Sequence, residues 1–353
     1  MRGFASHGRA VLSLLPGLSR ARAKLRRSPP LLDLALEMRE LEPASSVPCE
    51  PAIALPGELD RVVTFLGGAE AQVPRLLADV REEGPTLSYR LPDALLADFT
   101  VYCGQSFEVL RGGRKRPVLV GSPDEFDEAQ LCATSCTETY FGHFIRDALP
   151  LELLAGRRNL TALAFKREPW LHEPGYRALV GLEPRRTSFA RVRNLWVTDE
   201  RALNSGWTER YRELRERVRS GSKPNGGTHI FLCRGMLGTA RHLINEDELV
   251  ERLHAAGFRI VSPETMQPGE LAAALGSAKV VACVEGSAQQ HAFIAMPAGA
   301  ALLSIQPPQR FNSVGKIIAD AIGARFAYAV AEPAGGGFSI DPDRVLRTLD
   351  LIG

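Results

Sequence analysis

Apolar positions along the chain follow two different periods, and the change between them marks the elements. In TETYFGHFIRDALPLELL, Phe144, Ala148, Leu151 and, just beyond, Ala155 fall on one helical stripe that should face a core. His143 and Asp147 stand four apart at the edge of that stripe, so an α-helix puts them on one side. Around this helix, from Leu59 to about Ser205, short apolar runs (RVVTFLGG, RPVLVG, NLTALAF, RVRNLWVTD) alternate with turns and predict an α/β domain. WTERYRELRERVRSG reads as a charged helix and SKPNGG as a linker or hinge made of breakers.

The second half repeats one pattern. THIFLCR, FRIVSP, AKVVACVEG, ALLSIQP and FAYAV read as short buried strands. Between and after them lie the helical segments NEDELVERLHAAG, PGELAAALGSA, SAQQHAFIAMPAG, NSVGKIIADAIG and DPDRVLRTLDLI. Leu249, Leu253 and Ala256 point inward on the first of these, Gly257 stops it, and Asn245 with Glu248 suggests a capping box. Asp341 and Pro342 suit the N-cap and first turn of the last. Buried strands alternating with helices predict a parallel sheet covered on both faces, with ligand beyond the carboxyl ends of the strands.

Length and charge refine this picture. At 353 residues the chain suits roughly two domains, at ~100–200 residues each. The expected division is a basic tail and extended Pro-rich lead-in over 1–50, an α/β domain over 51–220 and a second over 221–353. A net charge of +2 gives no general reason for a nucleic-acid partner. The start is locally basic, with seven Lys/Arg before the first acid, Asp33, around the short run AVLSLLPGL. That run is far below the ~20 apolar residues that span a bilayer. A membrane-surface anchor, a targeting peptide and a solvated tail all fit it. Six cysteines without zinc spacing suit a reducing cytoplasm, and Asn159-Leu160-Thr161 would matter as an acceptor only outside it.

Three stretches carry candidate chemistry. In CRGMLGTARHLINEDEL, Arg234 and Arg241 follow a strand end and precede a helix, a setting that favours a diphosphate. In CVEGSAQQH a strand ends in Glu285-Gly286-Ser287, where Gly286 permits close backbone approach and Ser287 can cap a helix. Glu285 would accept hydrogen bonds from sugar or ribose hydroxyls. His143 and Asp147 are candidates for a general base and the group that orients it. Each stretch also has a structural reading: a solvated surface, an ordinary strand-turn-helix corner, a helix-edge hydrogen bond. No G-x-G-x-x-G, P-loop or G-x-S-x-G occurs, and no His/Cys cluster has metal-ligand spacing.

Together YFGHFIRDALP, FLCRGMLGTARHLINEDELVERLHAAGFRIVSPE and LGSAKVVACVEGSAQQHAFIAMPAGAALLSIQP resemble glycosyltransferase family 61, which includes bacterial proteins of capsular polysaccharide biosynthesis. Gly142, His143, Asp147, Leu149 and Pro150 match its G-H-x-x-x-D-x-L-P. Arg241, Asn245, Glu246, Glu248, Leu249, Gly257 and Phe258 match its R-x-x-x-NE-x-E-L run and the G-F strand after it. The third stretch departs from the G-x-H-G-A-x-x-x-N of many members: Glu285 replaces the histidine and His291 falls near the asparagine, which bears on donor contacts.

The resemblance implies a GT-B-like architecture, two Rossmann-like doubly wound domains facing across a cleft. It implies inverting, usually metal-independent transfer from a nucleotide sugar; with the cysteine usage and the basic start, the expectation is a glycan or lipid-linked acceptor and no cofactor, in the cytoplasm or at the inner face of the membrane. Asp147 or His143 would be the base, Arg234 and Arg241 would hold the diphosphate, and Glu285, Gly286 and Ser287 would hold donor hydroxyls or nucleotide. Closure about the 220s would exclude water. A pyruvyl-type transferase of similar fold and a non-catalytic sugar-nucleotide-binding protein are the competing readings.

Overall fold

The computed structural model describes residues 29–112, 122–235 and 242–353. The run RPVLVG lies outside them, as does Arg241. Ten strands form the front half: β1 (Glu37–Glu42), β2 (Ser45–Pro48), β3 (Val80–Glu83), β4 (Thr86–Ala97), β5 (Thr100–Cys103), β6 (Ser106–Val109), β7 (Asp124–Leu131), β8 (Thr161–Phe165), β9 (Arg185–Thr187) and β10 (Phe189–Asp199). Eight make one mixed sheet, ordered β6-β5-β4-β10-β7-β8-β9 with β1 also on β4, while β2 and β3 pair separately. β4 runs antiparallel to β1, β5 and β10, whereas β10, β7, β8 and β9 are parallel.

This sheet corrects the expectation of a doubly wound front domain. Asp98 and Phe99, both at positive φ (46° and 54°), form a two-residue turn that sends β5 straight back along β4. Such a hairpin makes antiparallel neighbours, because parallel ones need a crossover.

The rear half follows the predicted pattern. β11 (His229–Leu232), β12 (Arg259–Val261), β13 (Val280–Val284), β14 (Ala301–Gln306) and β15 (Arg325–Val330) form a parallel sheet ordered β12-β11-β13-β14-β15. A small hairpin, β16 (Glu332–Ala334) with β17 (Gly337–Ser339), follows. The chain steps out from β11 to β12, then back across to β13, so the order reverses between β11 and β13. At such a switch point the two strand ends diverge and open a crevice.

The helices are α1 (Ala69–Leu77), α2 (residues 141–157), α3 (Glu173–Val180), α4 (Ser205–Ser220), α5 (Glu246–Ala255), α6 (Pro268–Leu275), α7 (Gln289–Ala295), α8 (Val314–Ala321) and α9 (Pro342–Asp350). α5 and α9 cover one face of the rear sheet through Leu249, Leu253 and Val345. α6, α7 and α8 cover the other. Their core runs on without a break into Phe144 and Leu149 of α2 and Trp207 and Leu214 of α4.

Two stretches sit differently from expectation. Residues 52–66 and α1 do not join the front sheet. Ile53 exchanges backbone hydrogen bonds with Phe326 and Tyr328 (2.9 and 3.0 Å), and Gln72 bonds Ser313. They cover the open edge of β15, whose backbone groups would otherwise lack partners. RVVTFLGG is accordingly no regular strand; Phe65 makes one isolated bridge to Phe311. SKPNGG is bonded along α6, with Asn225 N–H donating to Ala273 O (3.0 Å). A Cβ on Gly226 would lie 1.7 Å from Ala274 O, so its glycine serves close packing.

Candidate functional site

Arg234 follows β11 and Glu285 follows β13, so both stand at the switch point of the rear sheet. Gly286 has φ +143°, a conformation that side chains strongly disfavour and that turns the chain sharply after Glu285. Glu285 is 4% exposed. Its carboxylate is held by Arg310 (NH1, 3.1 Å) and Asn312 (Nδ2, 3.1 Å), both from the loop after β14. Burial lowers the pKa of the Arg234 guanidinium, while Glu285 and Glu246 oppose that shift.

Glu246 turns inward and accepts the backbone N–H of Arg234 (2.6 Å), so it ties the start of α5 to the loop after β11. Burial raises its pKa, and the N–H groups of Arg234 and Gly235 counter this. Asn245 does not cap α5: its amide donates to Ile340 O (2.8 Å) and accepts from Ile340 N–H (3.1 Å), pairing with the chain after β17. It also reaches Glu248 (3.0 Å). Ser287 is likewise no cap, since α7 has Ala288 at its N-cap position without a side-chain bond.

The second group lies on α2, which is not regular. It is α-helical over Phe141–His143, π-helical over Phe144–Ala148 and α-helical again over Leu149–Arg157. A π-turn widens the helix by one residue per turn and is common where side chains do chemistry. His143 Nδ1 lies 2.6 Å from Asp147 Oδ2. Arg146 donates through Nε to Oδ1 (2.6 Å) and through NH2 to Oδ2 (3.1 Å). The Arg146 carbonyl accepts from Trp207 Nε1 (3.1 Å), and Trp207 stacks on Tyr211 at 4.6 Å. Burial works to raise the Asp147 pKa, but the Arg146 charge and the bonds from His143 and Arg146 outweigh it, and the net shift is downward.

A close backbone approach joins the two groups. A Cβ on Gly142 would lie 3.2 Å from both Ser287 Cα and Ser287 Oγ, a tight contact, so glycine here lets α2 rest closely on the Gly286–Ser287 turn. His143 is the next residue along α2. His291 serves the same joint from within. It is 2% exposed, its Nδ1 meets the Tyr176 hydroxyl at 2.8 Å, and Phe141 and His172 pack on its ring at 5.1 and 4.8 Å. Burial, with His172 adding to it, lowers its pKa to about 3, so the ring is neutral.

The sequence-predicted residues fall in two groups, His143 and Asp147 on α2 and Glu285, Gly286 and Ser287 after β13, joined through the Gly142–Ser287 approach; Arg234 and Glu246 adjoin the second through the loop after β11, and His291 is buried. Sequence reasoning missed Arg146, Arg310 and Asn312. Arg146 is adjacent in sequence to Asp147, a spacing that helix-face arguments pass over. Arg310 and Asn312 follow the predicted strand ALLSIQP, where the carboxyl-end rule would have found them.

Residues 141–303 match the family model described as Glycosyltransferase 61. The match opens at the first residue of α2 and ends in β14, so it spans both groups. No curated protein matches the chain. Among solved structures, the crystal structure of the flavodiiron protein from Giardia intestinalis aligns at 8% identity and a TM-score of 0.25, over 76% of this chain and 63% of that one. The chain thus spans less than two thirds of that protein, and so weak a likeness carries no argument. The matched segment holds the His143–Asp147 couple and the Glu285 turn together, and over these residues the chain is similar to glycosyltransferase family 61.

Proposed function

We propose that the protein transfers a sugar, with inversion, from a nucleotide-sugar donor to a hydroxyl of a glycan or lipid-linked acceptor in the making of cell-surface polysaccharide. The observation that carries this reading is the close approach of Gly142, the residue before His143 of the His143–Asp147 couple, to Ser287 at the rear-sheet switch point. On this reading residues 51–220 form the acceptor side and 221–353 the donor side of a GT-B-like pair. The acceptor O–H gives its proton to the couple as its oxygen bonds the anomeric carbon; the bond from that carbon to the diphosphate breaks, and a nucleoside diphosphate leaves. Arg234 and Arg310 stabilise the leaving charge without a metal or cofactor, with Arg241, outside the described residues, assigned to the same task. Glu285 holds Arg310 and Asn312 in place and, with Gly286 and Ser287, borders the donor. We assign the reaction to the cytoplasm, with the basic segment within residues 1–28, also outside the described residues, contacting the inner face of the membrane.

A thermal-unfolding screen against nucleoside diphosphates and nucleotide sugars tests this reading. A ligand at 100 times its Kd adds about 2.7 kcal/mol, a readily seen shift. No shift with any nucleotide, or turnover of phosphoenolpyruvate in place of a nucleotide sugar, would overturn it.

A further inference from the structure

We infer that Arg146 divides the labour within the couple: His143 is the base, Asp147 the carboxylate that orients it, and Arg146 a positioning residue that keeps Asp147 in that role. The inference rests on the proposed function and deepens it. The Arg146 guanidinium donates to both oxygens of Asp147, at 2.6 and 3.1 Å, and cannot give up its own proton at any relevant pH. Asp147 is thereby fixed as an acceptor. Its Oδ2 then takes a proton from His143 Nδ1 across 2.6 Å, so the ring carries hydrogen on Nδ1 and presents a lone pair at Nε2. Arg146 NH2 also lies 3.0 Å from Nδ1 and, being a donor only, would pair with a bare Nδ1; the shorter 2.6 Å approach of the Asp147 carboxylate, which needs a hydrogen between the two atoms, decides for Nδ1–H. The acceptor hydroxyl proton passes to Nε2, and the imidazolium so formed faces an ionised carboxylate. Were Asp147 the base, it would have to gain a proton against two guanidinium bonds.

The backbone supplies the geometry. Pro150, four residues on, has no N–H to offer the Arg146 carbonyl, which accepts from Trp207 Nε1 instead and so fixes the backbone from which the guanidinium reaches Asp147. The other titratable groups around the trio are few among the described residues. Arg75 of α1, Tyr211 of α4 and Cys136 before α2 face Arg146, and the Tyr140 ring lies 5.8 Å from His143.

Two measurements on the full-length protein test this. Nitrogen-15 NMR of histidine-labelled protein, with His143 assigned by its loss in His143→Gln, should show the ring protonated at Nδ1 and bare at Nε2. In Arg146→Gln that preference should weaken, and Arg146→Lys should keep most of it. With a nucleotide sugar taken from the thermal screen, Arg146→Gln should lower kcat about ten- to hundredfold, leave the donor KM unchanged and move the acid limb of the pH profile; Arg146→Lys should recover part of both. A ring protonated at Nε2 in the parent protein, or a pH profile and tautomer unmoved in Arg146→Gln, would overturn the inference. Should no nucleotide sugar be turned over, the proposed function fails, while the tautomer measurement still decides what Arg146 does.

Discussion

The two halves of the molecule reach stability by opposite means. In the rear half, β13 and β14 are buried along their whole length and meet helices through Leu271, Phe293 and Ile318, with no charged residue in either strand. In the front half, α2, α3 and the neighbouring strands β8 and β9 meet over ions. Glu173 is fully buried and bonded to Arg177 (3.0 Å), Arg167 (2.8 Å) and Arg186, while Glu152 takes both ends of the Arg177 guanidinium at 2.7 and 2.9 Å. Apolar packing tolerates small shifts, whereas a buried ion cluster holds one arrangement and loses heavily when a member is removed. The helix that carries His143 and Asp147 rests on both, on ions through Glu152 and on the shared apolar core through Phe144 and Leu149, while the turns after β11 and β13 rest on the apolar sheet.

That contrast can be broken by exchanging charge for neutrality in each half. The largest effect is expected in the front, where His143→Ala should lower kcat by about 10²- to 10⁴-fold with thermal stability retained. In the rear, Arg234→Ala should raise the donor Kd about ten- to hundredfold, the loss of charge-assisted bonds, and alter kcat less. Steady-state kinetics with titration of the donor separates the two; equal effects on kcat and Kd from both variants would erase the division of roles.

Next in size is the ion cluster itself. Glu173→Gln leaves three arginines under-compensated and should cost about 3–5 kcal/mol in a denaturant titration. Burial works to raise the pKa of this carboxyl, but Arg186, Arg167 and Arg177 lower it to about 2. Its contribution is therefore complete above the ordinary carboxylate range and shed as pH falls from about 4.5 toward 2, and the variant should lose that part of the acid sensitivity.

The smallest effect sits at the joint between the halves. With His291 lowered to about 3 when folded and near 6.5 when unfolded, the unfolded chain binds the extra proton between those values. Stability should rise with pH across that window, by up to about 1.4 kcal/mol per pH unit from this one ring. His291→Phe should flatten the slope, measured as unfolding free energy at several pH values.

Much of the rear half was legible because a strand buried on both faces must be apolar at every position, and its helices carry their stops in Gly257 and the cap at Asp341. The front sheet was harder to read. Its β4–β5 turn uses Asp98 and Phe99 where Asn-Gly is usual, so the hairpin left no local signal. β4 alternates buried and half-buried positions over twelve residues, which scatters its apolar pattern.

The candidate site divides in the same way. The sequence alone determined which titratable and charged side chains stand at strand and helix ends, and that the rear strands are buried and parallel, since both follow from residue type and short-range period. Tertiary structure decided the rest. A π-turn that no spacing rule announces holds both Arg146 and Asp147, a loop after β14 brings Arg310 onto Glu285, and Gly142 seats α2 on Ser287. The physical reason is separation: these contacts join groups up to 145 residues apart through backbone approach and burial, and local propensity carries no information about either.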